Sequence, residues 1–264
     1  MPNDANDDNK SIRVLLLGDV YGDGGLKALF LKLNKIKDDE RIDYIIANGE
    51  NANNGFGISV SNMNYLFSLG IDVITSGNHI WNWTEIFDAL DSEDRILRPA
   101  NYGDEPNGHG FVLYKGIGVI NLQGRVNLSY VENPFKWAER CVGQLSDKTK
   151  LIFVDFHAES TEEKEALGFF LDGKVTAVVG THTHVQTADE KILPNGTAYI
   201  TDLGLCGPSS SIIGCDTDMA IMRQKTQMPI KPVPSTNDSE LDGVIIEADT
   251  VSGKALSIKR IRYF

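Results

Sequence analysis

Five times along the chain, an apolar run of strand length gives way to a turn that carries residues able to bind a metal. The first run, residues 12–17, ends in GDVYGDGG, and the second, residues 44–47, leads to GENANNGFG. Residues 71–75 run into SGNH, residues 151–156 into HAES, and residues 175–179 into GTHTH. After the first run, the apolar positions Leu26, Leu29, Phe30, Leu33 and Ile36 keep helical spacing. Strand-like runs alternating with helical patterns mark an α/β chain with parallel sheet. In open sheets of that kind, ligands bind beyond the carboxyl ends of the strands. The pattern therefore sends five strand ends toward one crevice.

The rest of the chain fits that reading. Ser61 serves as the cap of a short helix that closes at Gly70, and Thr84 as the cap of another carrying Ile86, Phe87 and Leu90. Residues 111–122 read as strands joined through KGIG, and a helix with Phe135, Trp137, Cys141, Val142 and Leu145 follows Pro134. Ser160 and Glu163 form a capping-box pattern for a helix that stops at Gly173, and residues 198–201 form a further strand. GVIIEADTVSGKALSIKRIRYF alternates on both sides of a Ser-Gly turn, as a β-hairpin does. CGPSSSIIG and the stretch through Pro229, Pro232 and Pro234 read as loops. Neither repeat nor linker is visible, so residues 11–264 are expected to form one domain behind a disordered tail, residues 1–10.

Composition narrows the function classes. No apolar run approaches the ~20 residues of a membrane span, and the Asn- and Asp-rich start MPNDANDDNK is not a signal peptide. Three cysteines without a CxxC pair fit a reducing cytoplasm. The net charge of −12, from 25 basic and 37 acidic residues, argues against long nucleic acid as a partner. A small phosphorylated substrate remains compatible, because bound cations reverse the local field.

The donors at the strand ends are Asp19, Glu50, Asn51, Asn78, His79, His157, His182 and His184. Taken singly, each has an ordinary explanation: an Asx turn, a helix cap, a strand-end histidine or a surface loop. All of those explanations must hold at once to remove the site. Setting His79 aside, three imidazoles, two carboxylates and two amides make a mixed N/O shell without thiolate, suited to manganese, iron or zinc. Seven donors exceed the needs of one tetrahedral ion, whereas two ions sharing Glu50 would use them all. His109, in NGHG, lacks a strand-end context and reads as surface; Trp81 and Trp83 read as packing or loop-anchoring groups.

GD, GEN, GNH, a later histidine and GTHTH, in that order, resemble the calcineurin-like metallophosphoesterases, whose pattern is GDxH, GDxxD, GNHE, a histidine and GHxH. GDVYG, NGENANNGFG, SGNHIWN, RPANY, NLQGR, DFHAES, VVGTHTHVQTADE and GTAYITDLG resemble the bacterial YmdB-like branch more closely, over residues 17–204. The resemblance implies a four-layer α-β-β-α sandwich with a dinuclear site at the strand ends. By motif, Asp19, Glu50, Asn51 and His184 would hold one ion. Glu50 would bridge to the second, held by Asn78, His157 and His182, with His79 outside the shell as general acid. Tyr21 stands where the general pattern has the histidine of GDxH, and Glu50 with Asn51 replaces the aspartate of GDxxD.

The resemblance further implies a cyclic-nucleotide phosphodiesterase, iron or manganese as the metal, and a dimer or tetramer. A metal-bridging hydroxide would attack phosphorus. A phosphomonoesterase or nuclease on the same site, or a cyclic-nucleotide-binding regulator without turnover, are the alternatives. GFGIS and CGPSSSIIG are the candidate rims of the pocket.

Overall fold

The computed structural model describes residues 11–264, so the expected N-terminal tail lies outside the described residues. In chain order the first half contains β1 (Ser11–Tyr21), α1 (Gly22–Asp39), β2 (Tyr44–Asn51), α2 (Val60–Ser68), β3 (Val73–Thr75) and α3 (Phe87–Ser92). The middle contributes β4 (Phe111–Tyr114), β5 (Ile117–Gln123), α4 (Pro134–Leu145), β6 (Ile152–His157), α5 (Thr161–Leu171) and β7 (Ala177–Thr181). Then come β8 (Lys191–Ile192), β9 (Ala198–Ile200), β10 (Leu205–Pro208), α6 (Thr217–Thr226), β11 (Ser239–Asp249) and β12 (Ala255–Tyr263).

Two six-stranded sheets result, ordered β12-β11-β10-β1-β2-β3 and β4-β5-β6-β7-β9-β8. The inner strands run parallel, from β10 through β3 in one sheet and from β5 through β9 in the other, and antiparallel strands complete the edges. Side-chain alternation explains how they stack. Leu15, Leu17, Ile45 and Ala47 face one way and pack on Leu29 and Leu33 of α1 and Leu66 of α2. Their neighbours Val14, Leu16 and Ile46 face the other way and meet Val119, Phe153 and Val179 of the second sheet. Ile120, Val154 and Val178 then point outward against Trp137 and Cys141 of α4 and Leu167 of α5. Three successive apolar layers make a four-layer α-β-β-α sandwich, and a one-residue slip in any central strand would exchange its two faces.

β1 changes partner midway. Its first half pairs with β11 and its last residues with β10, Asp19 opposite Leu205. The change occurs at Gly18, where an added Cβ would lie 2.1 Å from the Gly204 carbonyl oxygen. Only glycine permits that approach, and it brings Asp19 N–H to the same carbonyl at 3.1 Å.

Several local expectations are corrected. The first two strands run on to Tyr21 and Asn51, so Asp19, Glu50 and Asn51 belong to the strands rather than to turns after them. The strand expected at residues 175–179 is Ala177–Thr181. Ser59, in extended geometry, caps α2 by accepting from Asn62 N, in place of Ser61. Thr84 opens a single 3-10 turn without a side-chain cap. Ser160 does cap α5, but the Glu163 carboxylate is engaged by the backbone N–H of Arg125. Phe30, expected on the apolar face of α1, is 60% exposed. The segment read wholly as loop contains β10 and α6, whose N-cap is Asp216. Among the described residues, no helix is long and apolar enough to cross a membrane.

Candidate metal centre

The parallel strands of both sheets end on the same side, and their last residues converge. Asp19, Glu50, Asn51 and His157 are each at most 3% exposed, an unusual concentration of polar side chains, three of them ionisable, for an interior. His182 and His184 follow the end of β7, and Asn78 and His79 follow β3. Among the described residues, Glu50, His157 and His182 present ligand atoms that all lie within 4.8 Å of one another. A second group adjoins them: His184 Nε2 lies 3.2 Å from Asn51 Oδ1 and 3.9 Å from Asp19 Oδ1. His79 lines the same cleft, about 360 Å³ in volume, while its backbone N–H donates to Glu50 Oε2 at 3.1 Å.

The hydrogen bonds behind the imidazoles decide which nitrogens are free. Thr181 Oγ1 donates to Asp155 Oδ1 at 2.7 Å and so accepts at 2.9 Å from His157 Nδ1. That leaves His157 Nε2 facing Glu50 Oε1 at 2.9 Å. Ile213 O accepts from His184 Nδ1 at 2.9 Å, so the Nε2 lone pair points at Asn51 and Asp19. Glu159 Oε2 sits 3.1 Å from His182 Nε2, which turns His182 Nδ1 toward His157 Nε2 at 3.1 Å. Ligating histidines are held this way by a carboxylate, hydroxyl or carbonyl on the distal nitrogen.

These inward-facing donors need a cation. Burial pushes the Asp19 carboxyl up to about 6, against the pull of His184 and His157. Burial acts on Glu50 in the same sense, but the charge and hydrogen bond of His157 override it and hold Glu50 at about 2. Burial works against a charged His157, yet Glu50 and Asp19 raise it to about 9. His182, desolvated and facing His157, falls to about 3. One proton on His157 therefore offsets part of the negative charge, while Asp19 Oδ1 and Asn78 Oδ1 stay buried without a hydrogen-bond partner among the described residues. Buried unpartnered oxygens are costly, and divalent cations beside these oxygens and nitrogens would satisfy both groups. The residues present fit such ions.

Space is reserved for the cluster. A Cβ on Gly77 would lie 2.1 Å from His157 Cδ2 and 2.3 Å from Glu50 Oε2. Tyr21, in the place of the histidine of GDxH, donates nothing inward: its hydroxyl lies 3.1 Å from Cys215 Sγ and its ring packs edge-on against His184. The expected rims are found in Phe56 and Ile213, both lining the cleft. His109 is half exposed and 3.4 Å from Asp94, away from the cluster. The supporting residues Asp155, Thr181, Glu159 and Asp202 were not singled out by sequence. Asp155 and Glu159 stand within DFHAES, but nothing in that motif says which strand they serve.

Comparison with known proteins gives a consistent picture. The model of the family described as YmdB-like protein matches residues 15–261. The 2′,3′-cyclic-nucleotide 2′-phosphodiesterase of Bacillus subtilis (strain 168) is 43% identical over 254 residues, covering 95% of this chain and 96% of its own. A crystal structure of a novel phosphatase from Mycoplasma pneumoniae superposes with a TM-score of 0.90 at 34% identity, covering 96% of this chain and 93% of that one. A hypothetical protein from Thermus thermophilus superposes with a TM-score of 0.87 at 35% identity, covering 96% of this chain and 99% of that one. Matched nearly end to end in sequence and in fold, the chain belongs to the YmdB-like family of calcineurin-like metallophosphoesterases.

Proposed function

We propose that this chain is a metal-dependent phosphoric ester hydrolase that opens 2′,3′-cyclic nucleotides. The observation that carries the reading is the pair of adjoining donor groups on the cleft floor, with inward lone pairs and two unpartnered buried oxygens. Asp19, Asn51 and His184 would hold one divalent ion, Asn78, His157 and His182 the other, with Glu50 between them. The seven-donor set without thiolate favours iron or manganese, with zinc also accommodated. Bound there, the ions supply Lewis acidity to the phosphoryl oxygens and an activated water as nucleophile.

The chain's own groups do the rest. The floor donors fix where phosphorus must sit, and Arg223 of α6 adds positive charge to the lining of the cleft. His79 projects into the cleft from the segment after β3, and its ring makes no hydrogen bond among the described residues. It is therefore free to give a proton to the departing ribose oxygen. The name of the B. subtilis relative specifies the 2′ ester. For this chain, that bond choice means that P–O2′ breaks, O2′ leaves with the proton from His79, and water adds to phosphorus to leave a 3′-monophosphate. The free, buried Cys141, Cys206 and Cys215 fit a reducing cytoplasm, and a dimer or tetramer accords with the family resemblance.

Turnover of 2′,3′-cyclic AMP, 3′,5′-cyclic AMP and 4-nitrophenyl phosphate, measured side by side, tests the reading. The 2′,3′-cyclic diester is expected to be fastest, and a preference for the monoester would overturn the assignment. Metal analysis supplies a separate check. His182→Ala removes an inward nitrogen and is expected to lower metal occupancy, whereas unchanged metal content would remove His182 from the ligand set.

A further inference from the structure

The metal cleft does not end at its own wall. A second cleft of about 490 Å³ shares Phe56 and Pro232 with it and continues past them between Trp83 and Lys231. We infer that this adjoining groove is the nucleobase subsite. The inference rests on the reading of the metal cleft as the place where a cyclic nucleotide is opened.

Connectivity gives the direction. If phosphorus sits over the metal donors and His79 gives its proton to O2′, as proposed above, the ribose lies beside His79 and the base hangs from C1′ at the far side of the ribose. It must leave the metal cleft across one of its walls. At another wall stands Glu159, with its carboxylate already turned to His182. At Phe56 and Pro232 the wall is apolar and opens into the second groove.

The groove has the chemistry of a base platform. Trp83 keeps 39% of its surface exposed although its indole N–H is fixed to Phe56 O at 2.6 Å. The indole is thus a rigid aromatic face that loses little freedom when a base stacks on it. Its closeness to the chemistry shows at Gly57, where an added Cβ would meet Trp83 Cδ1 at 2.7 Å and His79 O at 3.0 Å. Around the indole, the exposed Asn82 amide and the Lys231 ammonium make no hydrogen bond or ion pair among the described residues. An amide offers both a donor and acceptor to a base edge, and an ammonium suits its carbonyl or ring-nitrogen acceptors. Trp81, by contrast, is packed edge-on between Phe87 and Tyr102 and offers no such face.

The test compares 2′,3′-cyclic AMP with ribose 2′,3′-cyclic phosphate, which has the same reacting bond and no base. The wild-type chain is expected to prefer the nucleotide, and Trp83→Ala to reduce that preference by about tenfold or more, chiefly through KM. Trp83→Phe, which keeps an aromatic face but loses the N–H, should stay near the wild-type preference. If Trp83→Ala slows both substrates equally, or Trp83→Phe is as damaging as the alanine, the residue only anchors the loop and the inference falls. Tryptophan emission titrated with adenosine 3′-monophosphate gives a readout without turnover. Quenching is expected in the wild type and its loss in Trp83→Ala, and a wild type without quenching overturns the subsite. Quenching without hydrolysis of either cyclic substrate would overturn the proposed activity and leave the subsite standing.

Discussion

Replacing His79 by alanine is expected to slow hydrolysis of 2′,3′-cyclic AMP by about 10²–10⁴-fold, the usual contribution of a positioned acid, with metal content unchanged. The separation follows from how His79 is attached. Its backbone N–H, which alanine keeps, supports Glu50 Oε2, while the ring packs edge-on against Phe56 and faces the cleft. The donor cluster proposed to hold the ions is closed by His157, His182 and His184, whose distal nitrogens are tied to Thr181, Glu159 and Ile213. Among the described residues the His79 ring has no such tie, as expected of a group that moves a proton. A diester with a 4-nitrophenolate leaving group, which departs without a proton, should lose far less in the same variant. Equal losses on both esters would remove the acid role, and loss of metal would make His79 a ligand.

Much of this site was legible because its donors stand at strand ends, and strand ends follow from apolar runs. Asp19, Glu50, His157 and His182 could be placed together once the runs were taken as parallel strands of one fold. What failed was whatever depends on a single local signal or on contact across the sheets. α6 lacks a sustained apolar face, with Ile221 and Met222 both exposed, so no periodicity announced it. The Asp155–Thr181–His157 relay joins two strands through a threonine hydroxyl, a contact that hydropathy cannot register. Trp83 was half legible: it anchors the loop at Phe56 as expected, but only the fold shows that one face stays open beside the cleft. Lys164, within TEEKEALGFF, stands between two glutamates and is 1% exposed, a burial that its sequence neighbours do not announce.

Lys164→Ala is expected to destabilise the protein by about 3–5 kcal/mol, the cost of leaving a buried charge without its partner. The ammonium lies 2.7 Å from Asp202 Oδ2, and Asp202 is fully buried. The same carboxylate accepts from Thr183 N at 3.1 Å and from Gly204 N at 3.0 Å, so it also clamps the residue between the two histidines. Both histidines have positive φ, 104° at His182 and 62° at His184. Such backbone costs of order 1–3 kcal/mol per residue and persists only where the surroundings over-determine it. Here His182 N–H is held by Asp19 Oδ2, Thr183 N–H by Asp202, and the His184 ring by Ile213 O. The buried pair is thus one of three fixtures that keep two neighbouring histidines aimed at different donor groups. Denaturant unfolding and metal analysis of Lys164→Ala should therefore change together, with a lower midpoint and weaker metal retention. Lys164→Met combined with Asp202→Asn removes both charges and should recover part of the stability, because no uncompensated carboxylate remains. A loss below about 1 kcal/mol for Lys164→Ala would put the pair in the range of an exposed ion pair, and the loop's geometry would then rest on the metal side alone.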